Sequence, residues 1–153
     1  MTVNVETHFG LADLYIGHLR ANAAVAADPF IASRHVGFVA VSAVTVYELA
    51  VKDVFISFGW EKHKVLGCFA EARFARINGR VAYKSLCDEY LKLFGDRYLS
   101  RFKRRIGKID RAAIRARRGS VINTYNNVIA WRNEFAHGGH VPAYVTLEEV
   151  IQG

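Results

Sequence analysis

Glycine and proline residues divide this chain into segments whose lengths suit helices, and this spacing limits the possible fold more than any other feature. The longest such segment, Phe38 to Phe58, runs 21 residues without either residue type. Its Val-rich first half has the composition of a strand, but strands rarely exceed about ten residues. No series of short alternating segments separated by turn residues appears. The sequence therefore predicts an all-α protein, an up-and-down bundle of five or six helices in a single domain over residues 1–153.

The predicted helix boundaries follow from the same residues. Gly119 and the Gly138-Gly139 pair each suit the position after a helix C-terminus, and Ser120 is a suitable N-cap. Residues Asp28 to Gly37 are predicted to form a loop, and Gly59 is predicted to end the second helix. The predicted helices cover about 6–27, 38–58, 61–77, 81–94, 96–118 and 120–138, with a short capped helix after Thr146.

Composition indicates a folded protein that does not enter a membrane. Of its 153 residues, 52% are apolar, which is enough for a hydrophobic core. The N-terminus lacks the basic start of a secretory signal, because acidic Glu6 precedes every Lys and Arg. The long segment 38–58 carries Glu48, Lys52 and Asp53, which would be costly in a bilayer. We therefore expect a cytoplasmic protein with a buried core helix in this segment.

Positive charge is concentrated in the fifth predicted helix. Residues 96–118 contain ten basic and two acidic residues, a net charge of +8, whereas the whole chain has +7. A narrow apolar seam is predicted to face the core: Leu99, Phe102, Ile106, Ile109, Ala113 and Ala116. A basic ridge off this seam is predicted to contact the phosphates of a nucleic acid: Arg101, Arg104, Arg105, Lys108, Arg111 and Arg115. The alternatives are a solvated face that keeps the protein soluble and a surface for an acidic partner protein.

The sixth predicted helix carries a polar stripe that needs partners or a use. Asn123, Asn126, Ala130, Asn133 and His137 recur at helical spacing on a helix that is otherwise largely apolar. Arg132 lies one step around the helix from this stripe.

Arg132 and His137 could catalyse RNA cleavage without a metal. A neutral imidazole can take the proton from a ribose 2′-OH, whose oxygen then attacks the adjacent phosphorus. A protonated imidazole can donate a proton to the leaving 5′-oxygen. Arg132 can stabilise the charge that grows on the phosphate oxygens, and Asn133 can orient the phosphate or a ribose hydroxyl. DNA lacks the 2′-OH and would bind without being cut. The alternative is structural, since Arg and His both suit a helix C-terminus.

One straight helix does not bring these two side chains together. They are five residues apart, which is about 140° around the axis. Either the helix finishes at His137 and lets this side chain swing, or two copies of the helix meet across a two-fold axis. We favour the second arrangement, alone or combined with the first, in which two arginines and two histidines share one cleft.

The segment Arg132-Asn133-Glu134-Phe135-Ala136-His137-Gly138 resembles the motif of the HEPN superfamily (higher eukaryotes and prokaryotes nucleotide-binding domains), in which four residues separate Arg from His. The helix order and the early helix with Tyr47-Glu48-Leu49 are also similar, and the likeness extends over about residues 6–151. The resemblance implies a homodimeric ribonuclease with catalytic Arg132 and His137 and supporting Asn133. It further implies that Glu48 holds Arg132 or His137, although Glu48 could instead pair with Lys52.

The same resemblance implies a role in toxin–antitoxin or antiviral defence, with RNA, a second copy of the chain and an antitoxin or regulatory protein as partners. Cleavage would leave a 2′,3′-cyclic phosphate. No cofactor is expected, and His137 and His140 lack the Cys or carboxylate neighbours that would complete a metal site. Two other functions stay open: a helical module that binds RNA, a nucleotide or a protein without chemistry, and a structural dimerisation domain.

Overall fold

A computed structural model describes residues 5–21 and 28–151 of the chain, and this part contains seven α-helices and no strand. The helices are α1 (Val5–Ala21), α2 (Pro29–Lys62), α3 (Lys64–Phe74), α4 (Tyr83–Ser85), α5 (Asp96–Arg115), α6 (Val121–Gly138) and α7 (Leu147–Ile151). A π-helical turn, Leu86–Tyr90, and a 3₁₀ turn, Leu91–Phe94, continue α4 towards α5. The all-α fold class predicted from the sequence is confirmed.

Helix α2 is much longer than predicted, so the predicted loop at 28–37 is wrong. The helix begins at Pro29, because the Asp28 carboxylate accepts a hydrogen bond from the backbone N–H of Phe30 at 2.8 Å. Proline suits the first helical position, where its missing N–H costs nothing. The Asp28-Pro29 pair is thus a helix start. The part of the predicted first helix beyond Ala21, residues 22–27, lies outside the described residues.

Two glycines inside α2 mark close helix contacts, and the break predicted at Gly59 is also wrong. Gly59 is buried against α3, where an added Cβ would lie 2.9 Å from the carbonyl oxygen of Leu66. At Gly37, an added Cβ would overlap the ring of Phe135 on α6. Both glycines therefore allow neighbouring backbones or rings to approach α2 closely.

Replacing Gly37 with Ala is expected to lower the free energy of unfolding by about 1–3 kcal/mol, because the new methyl group must displace the Phe135 ring. Gly17→Ala in α1 is the matched control, since an added Cβ there meets nothing within 4 Å. That control should stabilise the protein by up to about 1 kcal/mol through helix propensity. Urea unfolding of both variants measures the difference, and an equal stabilisation by the two changes would contradict the close contact.

Helix α6 has the predicted capping residues. The Ser120 hydroxyl accepts a hydrogen bond from the N–H of Asn123 at 3.2 Å, and the helix ends with Gly139 in the left-handed conformation at φ 69°. The predicted capping box before α7 is also present, with Thr146 and Glu149 hydrogen-bonded to each other's backbone N–H groups. These local signals fixed the ends of both helices.

Helix α5 packs on the core along a slightly different seam from the predicted one, and it ends at Arg115 instead of Arg118. Ile109 is 53% exposed, whereas Asp110 turns towards the start of α6. Its carboxylate accepts hydrogen bonds from the Ser120 hydroxyl at 2.7 Å and from the N–H of Ile122 at 3.1 Å. These two bonds lower the pKa of Asp110, so its charge helps to join α5 to α6.

The core surrounds α2, which packs against α1, α3, α6 and α7. Its largest fully buried side chains come from four parts of the chain: Val44, Phe74, Ile77, Val81 and Val128. No helix within residues 5–21 and 28–151 has both the length and the apolar character needed to cross a membrane.

Candidate active site

Arg132 of α6 forms an ion pair with Glu48 of α2. The guanidinium Nη2 donates to the Glu48 Oε1 at 2.8 Å, and each side chain is 20% exposed. The alternative partner Lys52 makes no ion pair with Glu48 among the described residues. A partly buried charged pair needs good geometry to offset its desolvation. The pair therefore fixes Arg132 against the middle of α2.

Two further groups hold the Arg132 guanidinium. Its Nη1 donates to the side-chain oxygen of Asn133 at 3.0 Å. Gly79, at φ +81°, lies directly against the guanidinium, so that any Cβ at this position would overlap it. A guanidinium has five N–H donors, and the two bonds described here leave others for a ligand. Arg132 is thus oriented before any substrate arrives.

Helix α6 also holds the turn that carries Gly79. The Tyr125 hydroxyl donates to the carbonyl oxygen of Val81, and the Asn126 side chain accepts from the N–H of Tyr83 at 3.1 Å. Burial raises the pKa of Tyr125, which keeps this hydroxyl protonated as a donor. Asn126, a member of the polar stripe, therefore has a structural partner.

His137 lies on the exposed surface of α6, and its ring makes no hydrogen bond within the described part of the chain. The helix continues through Gly138, so His137 lies in its last turn. The nearby His140 is different, because its Nδ1 lies 3.0 Å from the carbonyl oxygen of Gly138. In a regular helix, the five-residue step from Arg132 to His137 is about 140° around the axis and about 7.5 Å along it.

Another arginine, Arg34, lies near the C-terminal end of α6. Its guanidinium lies over the Phe30 ring, with Cζ 4.9 Å from the ring centroid, and over the Phe135 ring at 5.8 Å. Phe38, 66% exposed, extends this surface, with its ring centroid 6.4 Å from that of Phe135. The sequence interpretation missed Arg34 because it assigned this region to a loop.

The predicted basic ridge on α5 is exposed along its length: Arg101, Arg104, Arg105, Lys108, Arg111 and Arg115. None of these side chains forms an ion pair with another described residue. The ridge lies away from the His137 end of the bundle. Gly37 contacts Phe135, whereas Phe58, about 30 Å further along α2, contacts Tyr98 at the start of α5.

A second basic cluster, which the sequence analysis did not predict, lies closer to Arg132. Arg73, Arg76 and Arg80 line a cavity of about 400 Å³ beside the turn that carries Gly79. These arginines are spaced three and four residues apart in the sequence. The spacing alone does not indicate a basic site, because the site depends on the approach of this turn to α6. No group of three or more His, Cys, Asp or Glu side chains that could hold a metal occurs in the described ranges.

An all-α bundle whose penultimate helix carries Arg132 and, after four residues, His137 near its C-terminus defines a HEPN-type domain. The model of the RiboL-PSP-HEPN family matches residues 12–152, and the chain belongs to this family. Membership indicates a nuclease or a nucleotide-binding module, with interaction with RNA or with a second copy. No curated protein and no solved structure matches the chain.

Proposed function

We propose that this protein is a metal-independent endoribonuclease that works as a homodimer. The observation that carries the proposal is the contrast between its two motif side chains: Arg132 is held by Glu48 and Asn133, whereas His137 is exposed without a hydrogen-bond partner among the described residues. An oriented cation and a free imidazole are the two groups that cleavage through the ribose 2′-OH requires.

In the proposed reaction, neutral His137 of one protomer takes the proton of the 2′-OH, and the oxygen attacks the neighbouring phosphorus. The bond from phosphorus to the 5′-oxygen breaks, and the protonated His137 of the other protomer supplies that oxygen with its proton. Arg132 stabilises the charge on the non-bridging oxygens. The products are a 2′,3′-cyclic phosphate and a free 5′-hydroxyl. No residue of the chain becomes covalently attached.

The homodimer is proposed because one copy of α6 presents its Arg and His about 140° apart around the axis. An aromatic surface near the C-terminal end of α6, on the side that faces α2, supports an interface between copies. Phe30 and Phe38 are each 66% exposed, next to the partly buried Phe135. Adjacent exposed aromatic rings are typical of interaction surfaces. A two-fold axis near this end of α6 would place residues of both copies in one cleft.

Cleavage of mixed RNA in EDTA tests the proposal. Purified protein should cut RNA at the same rate with and without EDTA, because the mechanism uses no metal. The 5′ fragments should carry a 2′,3′-cyclic phosphate. Mass spectrometry should find them one water lighter than the linear phosphate that acid hydrolysis produces. A DNA strand of the same sequence should stay intact. Loss of activity in EDTA, or 3′-hydroxyl products, would reject the mechanism.

The cellular role that accompanies this activity is also a proposal. A ribonuclease acting on cytoplasmic RNA needs restraint, which fits a toxin–antitoxin or antiviral defence system with an antitoxin or regulatory protein as a further partner. Expression in bacteria tests the toxic activity, because the parent protein should arrest growth and the His137→Ala variant should not.

A binding module without chemistry is the second candidate. The basic ridge of α5 favours it, because the ridge lies away from His137 and has no ion-pair partner among the described side chains. This candidate predicts that the parent protein binds RNA but does not cut it, and that His137→Ala leaves the affinity unchanged.

A further inference from the structure

The cavity beside the turn at Gly79 concentrates positive charge in a concave, polar site. Its lining contains Arg73, Arg76 and Arg80, together with Asn78 and Glu89. Three guanidinium groups and one carboxylate give this lining a net charge of +2. None of the three arginines forms an ion pair within residues 5–21 and 28–151. Glu89 accepts a hydrogen bond from the Ser85 hydroxyl at 2.9 Å, which engages part of the only opposing carboxylate in the lining.

This cavity adjoins the proposed catalytic arginine. Arg80 directly follows Gly79, whose backbone lies against the Arg132 guanidinium. Tyr90, a buried residue of the cavity wall, gives a second link. Burial, followed by the charge of Glu89, raises the pKa of Tyr90. The charges of Arg73 and Arg80 act in the opposite direction, and the Glu48 carboxylate has a smaller raising effect. The cavity and the Arg132–Glu48 pair are therefore neighbours across one short turn.

We propose that Arg73, Arg76 and Arg80 form a phosphate subsite that holds the RNA backbone next to the bond to be cut. This inference rests on the proposed ribonuclease function and adds the path of its substrate. Guanidinium groups match phosphate oxygens in geometry and in charge. A strand whose scissile phosphate lies at Arg132 would pass over the Gly79 turn into the cavity. The subsite contacts phosphates only and therefore gives affinity and register without base preference.

RNA is a better occupant than an acidic protein segment because the cavity lies next to Arg132, across the Gly79 turn. A strand with a phosphate at Arg132 has further phosphates one and two nucleotides away, and these need cations at the adjacent surface. The α5 ridge is less suited to these nearest phosphates, since it begins near Phe58, about 15 Å along α2 from Glu48.

Salt-dependent binding of a 2′-O-methyl RNA oligonucleotide, which the proposed mechanism cannot cut, tests the subsite. The triple variant Arg73→Gln, Arg76→Gln and Arg80→Gln should bind at least about tenfold more weakly at low salt. The slope of log affinity against log salt should become shallower by about 2, since each lost phosphate contact on a single strand removes about 0.7. The matched control removes three exposed positive charges that do not line the cavity: Lys62→Gln, Lys64→Gln and Lys92→Gln. The control should change the affinity by less than about threefold, because unspecific charge loss is screened.

Glu89→Gln provides a variant with the opposite expected effect. Removing the only carboxylate of the lining should raise RNA affinity about two- to threefold, which a purely structural change would not do. Circular dichroism checks the fold of each variant, and Arg80→Gln alone replaces the triple change if the latter unfolds.

The inference is overturned if the triple variant binds RNA as the parent does, or loses no more affinity than the lysine control. It is also overturned if poly-glutamate competes as well as RNA of equal charge, which would indicate an acidic protein partner. Cleavage of unmodified RNA in EDTA separates the two proposals. If the parent cuts RNA but the arginine variant binds normally, only the subsite is wrong. If the parent never cuts RNA but the arginine variant loses binding, only the nuclease assignment is wrong.

Discussion

The His137→Ala variant is expected to cut RNA at least about a hundredfold more slowly than the parent, because it lacks the group proposed to move both protons. Its stability should not change measurably. The imidazole is exposed and makes no hydrogen bond within the described residues, so its removal leaves no buried group without a partner. Initial cleavage rates on a labelled RNA in EDTA, measured beside thermal unfolding of both proteins, test this prediction.

His140→Ala is the matched control, since it removes the same side chain three residues further along the chain. The His140 ring is engaged with the carbonyl oxygen of Gly138, and it has no role in the proposed chemistry. Its loss should change the rate less than about threefold. Equal loss of activity in the two variants would contradict a specific role for His137.

Mixing the parent with the His137→Ala variant tests the shared cleft. If both histidines of a dimer are needed, random pairing in an equal mixture leaves about a quarter of the dimers fully active. If each copy works alone, about half of the activity remains. A linear fall in activity with the fraction of variant would therefore reject the dimeric mechanism, even if His137 itself proves essential.

Local signals predicted helix α6 well because they act within a few residues. Ser120 caps the helix start and Gly139 takes the left-handed conformation at its end. The start of α2 was misread although its signal was equally local. The sequence predicts a loop at Asp28-Pro29, whereas Pro29 occupies the first helical turn. Gly37 could not be interpreted from sequence alone, since its role depends on a ring 98 positions away in the chain.

The candidate site also contains residues that the sequence predicts and contacts that it does not predict. The motif indicates Arg132, Asn133 and His137 as candidate site residues. The resemblance implies a contact from Glu48, and Glu48 pairs with Arg132. The contact between Gly79 and the guanidinium had no sequence signal. It arises because Tyr125 and Asn126 hold the following residues against α6. The arginines of the cavity lie near Arg132 only because of this turn, which the sequence does not predict.

Arg132→Ala is expected to lower the cleavage rate by about 10²–10³-fold, the usual cost of losing one donor to a transition-state oxyanion. It should also destabilise the protein, unlike His137→Ala. Glu48 is only 20% exposed and would lose its ion-pair partner. Breaking a fully buried pair costs about 3–5 kcal/mol and an exposed pair at most about 1 kcal/mol, so we expect about 1–3 kcal/mol here. Urea unfolding and cleavage rates, measured on the same preparations, give both quantities.

The double variant Arg132→Ala with Glu48→Gln separates the two effects. Gln keeps the shape of Glu48 without its charge, so most of the lost stability should return, because the unpaired carboxylate is gone. Cleavage should stay as slow as in Arg132→Ala alone, because no cation faces the phosphate. If activity returned together with stability, Arg132 would be a structural residue that holds α6 to α2, and the oxyanion would need another donor. If neither returned, the cost of Arg132→Ala would lie in the contact with Gly79 and Asn133 instead of in the ion pair with Glu48.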